Sequence, residues 1–391
     1  MNVDIKICSI TTIFGLLILI SSVCRPQEII SSKTNEADTT NYLVQRGTTL
    51  NSSDTDHQSS EDFSTSKSFP SLAFRDNSTN DDQNSFQRNT FEPIQLSLET
   101  EKKIDGLNVT SFQMIDGTYW RDKSELNYGK LFTSFGAIAA ADLIAYQYAS
   151  KVWYKDETTG FHTLDFNKDM KKWQYMDKVG HFTTTYFVSD LTSKLYRWSG
   201  ISGKNSVWYG ALTGWLWMLQ IEISDGFMKN WGFSWGDLLA NTIGAGYFVL
   251  QQFNYELLGG ITPKFSYKVS DAQKNGEYAI PPESFIQDYE GMTFWLTVNF
   301  HHYVPEKWKE EYPDWLAPLG IAFGYSAKDL AGNLWTGNKE FFIGMDIDLR
   351  KIPILDDWGL FRFIKSELNF IRLPLPTIRI SQSGVWYGFY F

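Results

Sequence analysis

Residues 177–195 read DKVGHFTTTYFVSDLTSKL. Polar and apolar side chains alternate along them at helical spacing, which predicts a helix carrying Asp177 and His181, four positions apart, on one face. Three further stretches look helical: residues 131–149 hold one charge, Asp142; residues 207–221 hold none; residues 235–253 hold only Asp237. At 1.5 Å per residue the uncharged runs reach only ~20 Å, short of the ~30 Å hydrocarbon core of a bilayer. They suit either shallow membrane helices or a buried bundle. Gly210, Gly214, Gly244 and Gly246 recur where such helices would touch, and a missing side chain lets backbones approach. Gly200, Gly203 and the Asn230-Trp231-Gly232 turn separate the segments.

Past about residue 262 the period falls from 3.6 to two. Phe294, Leu296, Val298 and Phe300 alternate with Thr293, Trp295, Thr297 and Asn299, and Phe341, Ile343, Met345, Ile347 and Leu349 alternate with Phe342, Gly344, Asp346, Asp348 and Arg350. Leu319 to Tyr325 and Val385 to Phe391 supply further strands of this kind. The count is about five or six, below the eight of the smallest single-chain membrane barrels. An antiparallel sheet on or beside the helical unit therefore fits better than a barrel.

The amino-terminal quarter is different in kind. Residues 9–23 are apolar, too short for a transmembrane helix but suited to a signal peptide spanning residues 1–24. Cleavage near Cys24 would leave a mature chain without cysteine, hence without disulfides or thiolate chemistry; Ser21 and Val23 depart from the usual lipoprotein signal. In residues 31–90, 35 of 60 are Ser, Thr, Asn or Asp, which predicts a disordered spacer over 25–110. The expected fold class is thus α+β: a membrane-associated bundle of about four helices over 111–260, then an antiparallel sheet of about five or six strands over 261–391.

Composition narrows the partners. A net charge of −10 without a basic run argues against nucleic acid. Aromatic residues make up 16% of the chain, and all but six of the 64 follow residue 90. Rings with one apolar and one polar end favour a membrane–water interface, so membrane lipid and an envelope protein are the expected partners.

The chemistry sits on the helices. His181 beside Asp177 could be a metal ligand or a general base oriented by the carboxylate, and Lys178 could bind a phosphate; the plainer reading is a structural histidine and a lysine that neutralises acids. Glu222, Asp225 and Asp237 could ligate a divalent metal. They could equally cap helices and pair with Lys178, and Asp237 lies in the first turn after Ser234, a candidate N-cap. Asn241 repeats the four-residue spacing after Asp237. His301 and His302, adjacent on an expected strand, would face opposite ways. No phosphate loop, dinucleotide fingerprint, nucleophile elbow or His-Glu-x-x-His helix is present in the sequence.

Asp-Lys-x-Gly-His-Phe from residue 177, Glu-x-x-Asp-Gly-Phe from residue 222 and Trp-Gly-Phe-Ser-x-x-Asp-x-x-x-Asn-x-x-Gly from residue 231 follow in order. Together they resemble the YfiM-like family of predicted periplasmic lipoproteins, and their order is similar to that of the VanZ-like membrane proteins. The resemblance covers about residues 115–258. It implies an envelope address and marks Asp177, Lys178, His181, Glu222, Asp225, Asp237 and Asn241 as motif positions, without bringing a reaction. Two functional classes stay open: a non-enzymatic envelope protein that binds a partner, and a metal-assisted hydrolase or transferase acting on a lipid or cell-wall precursor. The terminal Phe391 favours the outer membrane as the place of work.

Overall fold

The computed structural model describes residues 109–113, 119–121 and 124–391, apart from 155–156, 279–284, 331–334, 355–357 and 382. The expected signal peptide and Cys24 lie outside the described residues, and so does the expected spacer up to residue 108. A short hairpin, β1 (Val109–Gln113) and β2 (Tyr119–Arg121), precedes the helices.

The four expected helices form as α1 (Tyr128–Val152), α3 (Met176–Trp198), α4 (Gly203–Asp225) and α5 (Trp235–Phe253), joined by a short α2 (Phe166–Lys171). Side chains close the amino ends of α1, α4 and α5: Asn127, Ser202 and Ser234 each accept a backbone N–H three residues on. The expected turns appear at Gly200 and Gly232, whose φ of +91° and +146° are conformations that side chains rarely adopt.

Helix α3 packs between α4 and α5, and glycines set the spacing. A Cβ on Gly210 would sit 2.5 Å from the Ser189 carbonyl oxygen, and one on Gly244 would sit 2.4 Å from that of Phe182. Gly246 is different, with nothing within 4 Å of its Cβ position, so the expected contact there does not form. Tyr186, Val207, Ala211, Ala245 and Phe248 fill the space between these helices, while α1 adds Leu131, Phe135 and Ile138 against Tyr196 and Ile201. Among the described residues no helix is long and apolar enough to cross a membrane.

Six strands follow in a single antiparallel meander: β3 (Ile261–Tyr267), β4 (Met292–Asn299), β5 (Leu319–Lys328), β6 (Asn338–Ile347), β7 (Leu375–Arg379) and β8 (Val385–Tyr390). Phe294, Tyr325 and Phe341 lie in register on one face, with Trp295, Gly324 and Phe342 on the other. Two strands end earlier than alternation suggested. Phe300, His301 and His302 form a turn, because the Asn299 side chain accepts the His302 N–H, and the residues after Ile347 turn because Asp348 accepts from Arg350.

The sheet is rolled. Trp295 on β4 and Tyr390 on β8 are four strands apart in order, yet their ring centroids are 5.9 Å apart. Gly324 makes room for the Trp295 ring and Gly344 for the Arg372 guanidinium, which lies 3.9 Å from the Trp295 centroid. The edge of β3 is covered by residues 370–372, through Phe265 N–H to Phe370 carbonyl and Arg372 N–H to Phe265 carbonyl, both 2.8 Å.

A water-facing sheet turns its apolar face inward; this roll does the opposite. Its interior holds the Lys264–Asp346 and Arg379–Glu340 ion pairs, Arg372 and a row of Ser and Thr, around Trp295 and Phe342. On the outer face, Met292 and Phe294 of β4 cluster with Met176 and Val179 of α3. Tyr325 and Ala327 of β5 join that cluster, whereas Phe323, Phe341, Met345, Ile378 and Trp386, elsewhere on β5 to β8, are exposed.

Candidate functional site

The segment that delivers α3 is strained. Trp173, Gln174 and Tyr175 have φ of 55°, 52° and 67°, left-handed conformations costing about 1–3 kcal/mol each for residues with side chains. Tertiary contacts hold them: Trp173 stacks on Tyr289 with centroids 4.9 Å apart, Gln174 donates to the Trp335 carbonyl at 2.9 Å, and Tyr325 donates to the Gln174 carbonyl. The following turn carries Asp177, Lys178 and His181.

Lys178 is the centre. Its Nζ lies 2.8 Å from Asp169 of α2, 3.0 Å from Asp177 of α3 and 2.8 Å from Asp237 of α5, so three carboxylates share one ammonium. Hydroxyls hold two of these carboxylates as well. The Ser234 hydroxyl donates to Asp169 at 2.5 Å, and the Tyr289 hydroxyl donates to Asp177 at 2.8 Å. Ser234 also caps α5 by accepting the Asp237 N–H at 3.0 Å, so one residue sets both the helix start and a carboxylate.

His181 forms the second layer. Its Nδ1 is 3.1 Å from Asn241 Oδ1 and 3.4 Å from Glu222 Oε1, and its Nε2 is 3.8 Å from Asp177 and 3.9 Å from Asp237. Asn241 Oδ1 also accepts from Thr185 at 3.0 Å. Glu222, almost wholly buried, accepts the Ser234 N–H at 3.3 Å.

Five acids, Asp169, Asp177, Glu222, Asp225 and Asp237, thus meet two cations, and titration follows from that imbalance. Burial works against the Lys178 ammonium, but Asp177 and Asp237 overcome it and hold the group above the ordinary lysine range. Burial likewise opposes a charged His181, yet Asp237, Glu222 and Asp177 push it up to about 9. Burial would raise Asp177; Lys178 and His181 prevail and keep it below the usual carboxylate range. Desolvation wins at Glu222, Asp237 and Asp225. It takes Glu222 well above its ordinary value despite His181, raises Asp237 with help from Asp177, and brings Asp225 to about 7 against a hydrogen bond from Tyr154.

Six of the seven residues singled out in the sequence meet here: Asp177, Lys178, His181, Glu222, Asp237 and Asn241. Asp225 lies beside them, bonded to Tyr154 and acting on the group through its field. Asp177, His181 and Asp237 each offer a ligating atom within 4.8 Å of the others, so they are the set best placed for a cation; Glu222 approaches through His181. Asp169 and Tyr289 were not foreseen. Asp169 follows Asp165 at cap-like spacing, a weak signal, whereas Tyr289 comes from the sheet region and has no local signal at all.

A family model described as "Predicted periplasmic lipoprotein (DUF2279)" matches residues 166–253, from the start of α2 to the end of α5. Every member of the cluster except Tyr289 lies within that span. The match supports a periplasm-facing place in the cell envelope. No curated protein and no solved structure matches the chain.

Proposed function

We propose that this chain is an outer-membrane-associated, periplasm-facing envelope protein whose Lys178 cluster is a structural hub, fixing α2, α3 and α5 so that the unit can engage a partner. The supporting observation is the ammonium itself: Lys178 already occupies the place where three carboxylates would hold a cation, within 3.0 Å of each. The order of the motif blocks supports placing the chain near the YfiM-like lipoproteins, with a more distant likeness to VanZ-like membrane proteins.

The test compares Lys178→Met and Asp237→Asn in cells, following protein abundance together with envelope integrity. A hub predicts that both variants disappear from the envelope. Normal abundance with a lost phenotype would overturn it in favour of chemistry.

One observation favours a second reading, a metal-assisted hydrolase or transferase acting on a lipid or cell-wall precursor. Asp177 and His181 keep 18% and 16% of their side chains accessible and lie within ligating distance of Asp237. Equilibrium dialysis of the full chain against zinc or manganese separates the two. Stoichiometric binding that Asp237→Asn abolishes would support the enzyme; no retention supports the hub.

A further inference from the structure

On the outer wall of the rolled sheet, β5 to β8 form a groove of about 470 Å³, within the ~300–1,000 Å³ range of small-molecule sites. Phe300 and Leu316 close one end, and Ile321, Ile343, Met345 and Ile378 form its floor and sides. Trp386, opposite Ile378 in register, stands at its rim and is 64% exposed. No residue lining the groove carries a charge. The surrounding wall continues the character with exposed Phe323 and Phe341.

Asp346, Glu340 and Arg379 of these same strands point the other way, Asp346 to Lys264 and Glu340 to Arg379 in the interior, while the outward Lys339 lies at the far end of β6 with its Nζ 4.4 Å from the Tyr175 ring. In charge, this wall is complementary to hydrocarbon. A protein partner would meet polar atoms as well, since protein interfaces carry roughly one hydrogen bond per 100–200 Å² and a polar rim. The loop that closes the groove also carries Trp308 and Trp315, both exposed, with the Lys307 ammonium 5.0 Å from the Trp308 ring. Such rings settle where hydrocarbon gives way to headgroups.

We propose that this groove receives an acyl chain of a membrane phospholipid, with the outer wall of β5 to β8 resting in the hydrocarbon of one leaflet. The proposal deepens the membrane-associated reading above by naming the contact surface, and it is independent of what the Lys178 cluster does. Apolar area removed from water supplies the affinity, and the uncharged lining supplies the preference for chain over headgroup.

The full-length protein is mixed with phosphatidylcholine vesicles containing a phosphatidylcholine with a diazirine in its acyl chain, irradiated, floated, and mapped by mass spectrometry. Adducts at Ile343, Met345, Ile378 or Trp386 are expected. The Met345→Gln/Ile378→Gln double variant should lower them at least tenfold with an unchanged circular dichroism spectrum, because both positions are exposed. Flotation with adducts only elsewhere would overturn this proposal and leave membrane association standing; neither flotation nor adducts would end both. A vesicle-free dimer that Ile378→Gln dissociates would assign the wall to a second copy of the chain and overturn the proposal too.

Discussion

Among the described residues Lys178, Lys194 and Lys264 are buried, and the surroundings of Lys178 and Lys264 drive those two in opposite directions. Lys178 in the helical unit and Lys264 in the rolled sheet keep 7% and 1% of their side chains accessible. Lys178 meets three carboxylates and is pushed above the ordinary lysine range. Lys264 has one carboxylate in contact, Asp346 at 2.8 Å, with neutral oxygens from Asn369 and Ile347; burial prevails and lowers it. Burial alone therefore does not decide whether an ammonium is comfortable. The number of opposing charges does, and only the helical unit has them in excess.

The largest effect that would test this contrast is at the lysines themselves. Lys178→Met leaves three carboxylates facing one another and should lose about 3–5 kcal/mol of unfolding free energy in chemical denaturation. Replacing Lys264 and Asp346 together by Met and Leu removes a balanced pair and should stay within about 1 kcal/mol of the parent. If the two variants unfold alike, the contrast is wrong.

Next in size is backbone approach within the helical unit. Gly214→Ala would place a Cβ 2.4 Å from the Ser189 hydroxyl and 2.8 Å from its backbone nitrogen, and should cost about 1–3 kcal/mol. Gly246→Ala meets nothing and should be neutral or stabilising by up to about 1 kcal/mol, from helix propensity. Thermal unfolding of the two variants side by side checks this.

A pH profile sharpens the comparison further. His181 is raised from 6.5 to about 9, so its stabilisation is complete below 6.5 and disappears as pH climbs through about 9. Asp225, raised from 3.8 to about 7, has the same sign: its folded form prefers the proton, and stability falls as pH rises through that range. Denaturation midpoints should therefore decline between neutral and pH ~9, and His181→Asn should flatten the upper part of that decline. A midpoint that rises over the same interval would contradict the assignment.

The smallest expected change is at Glu222. Burial raises it well above its ordinary value and so favours the protonated carboxyl, and Glu222→Gln, a neutral group of the same shape, should shift stability by less than about 1 kcal/mol. A loss of several kcal/mol would mean the carboxylate is ionised, as a metal ligand would be.

Much of this was legible in the chain. The helix over residues 235–253 has the expected bounds, the Ser234 cap forms, and the four-residue spacings of Asp177/His181 and Asp237/Asn241 place those pairs in one cluster. Two-residue alternation likewise gave strands where it was strongest, as at Phe341 to Ile347. Turns that depend on one side chain, such as the Asn299 cap that takes His301 and His302 out of the strand, leave no mark in periodicity. The hub itself was only half visible, since Asp169 and Tyr289 come from segments whose own patterns say nothing about Lys178.

Sequence by itself determined the α+β order, the helix and strand periods, the caps and the residues that could carry charge chemistry, because each depends on neighbours within a few positions. Tertiary structure decided which side of the sheet faces outward, which lysine gains a proton preference and which loses it, and which acids share one ammonium. Those outcomes are set by solvation and by Coulomb energy across segments far apart in the chain, and neither quantity is a property of any one segment.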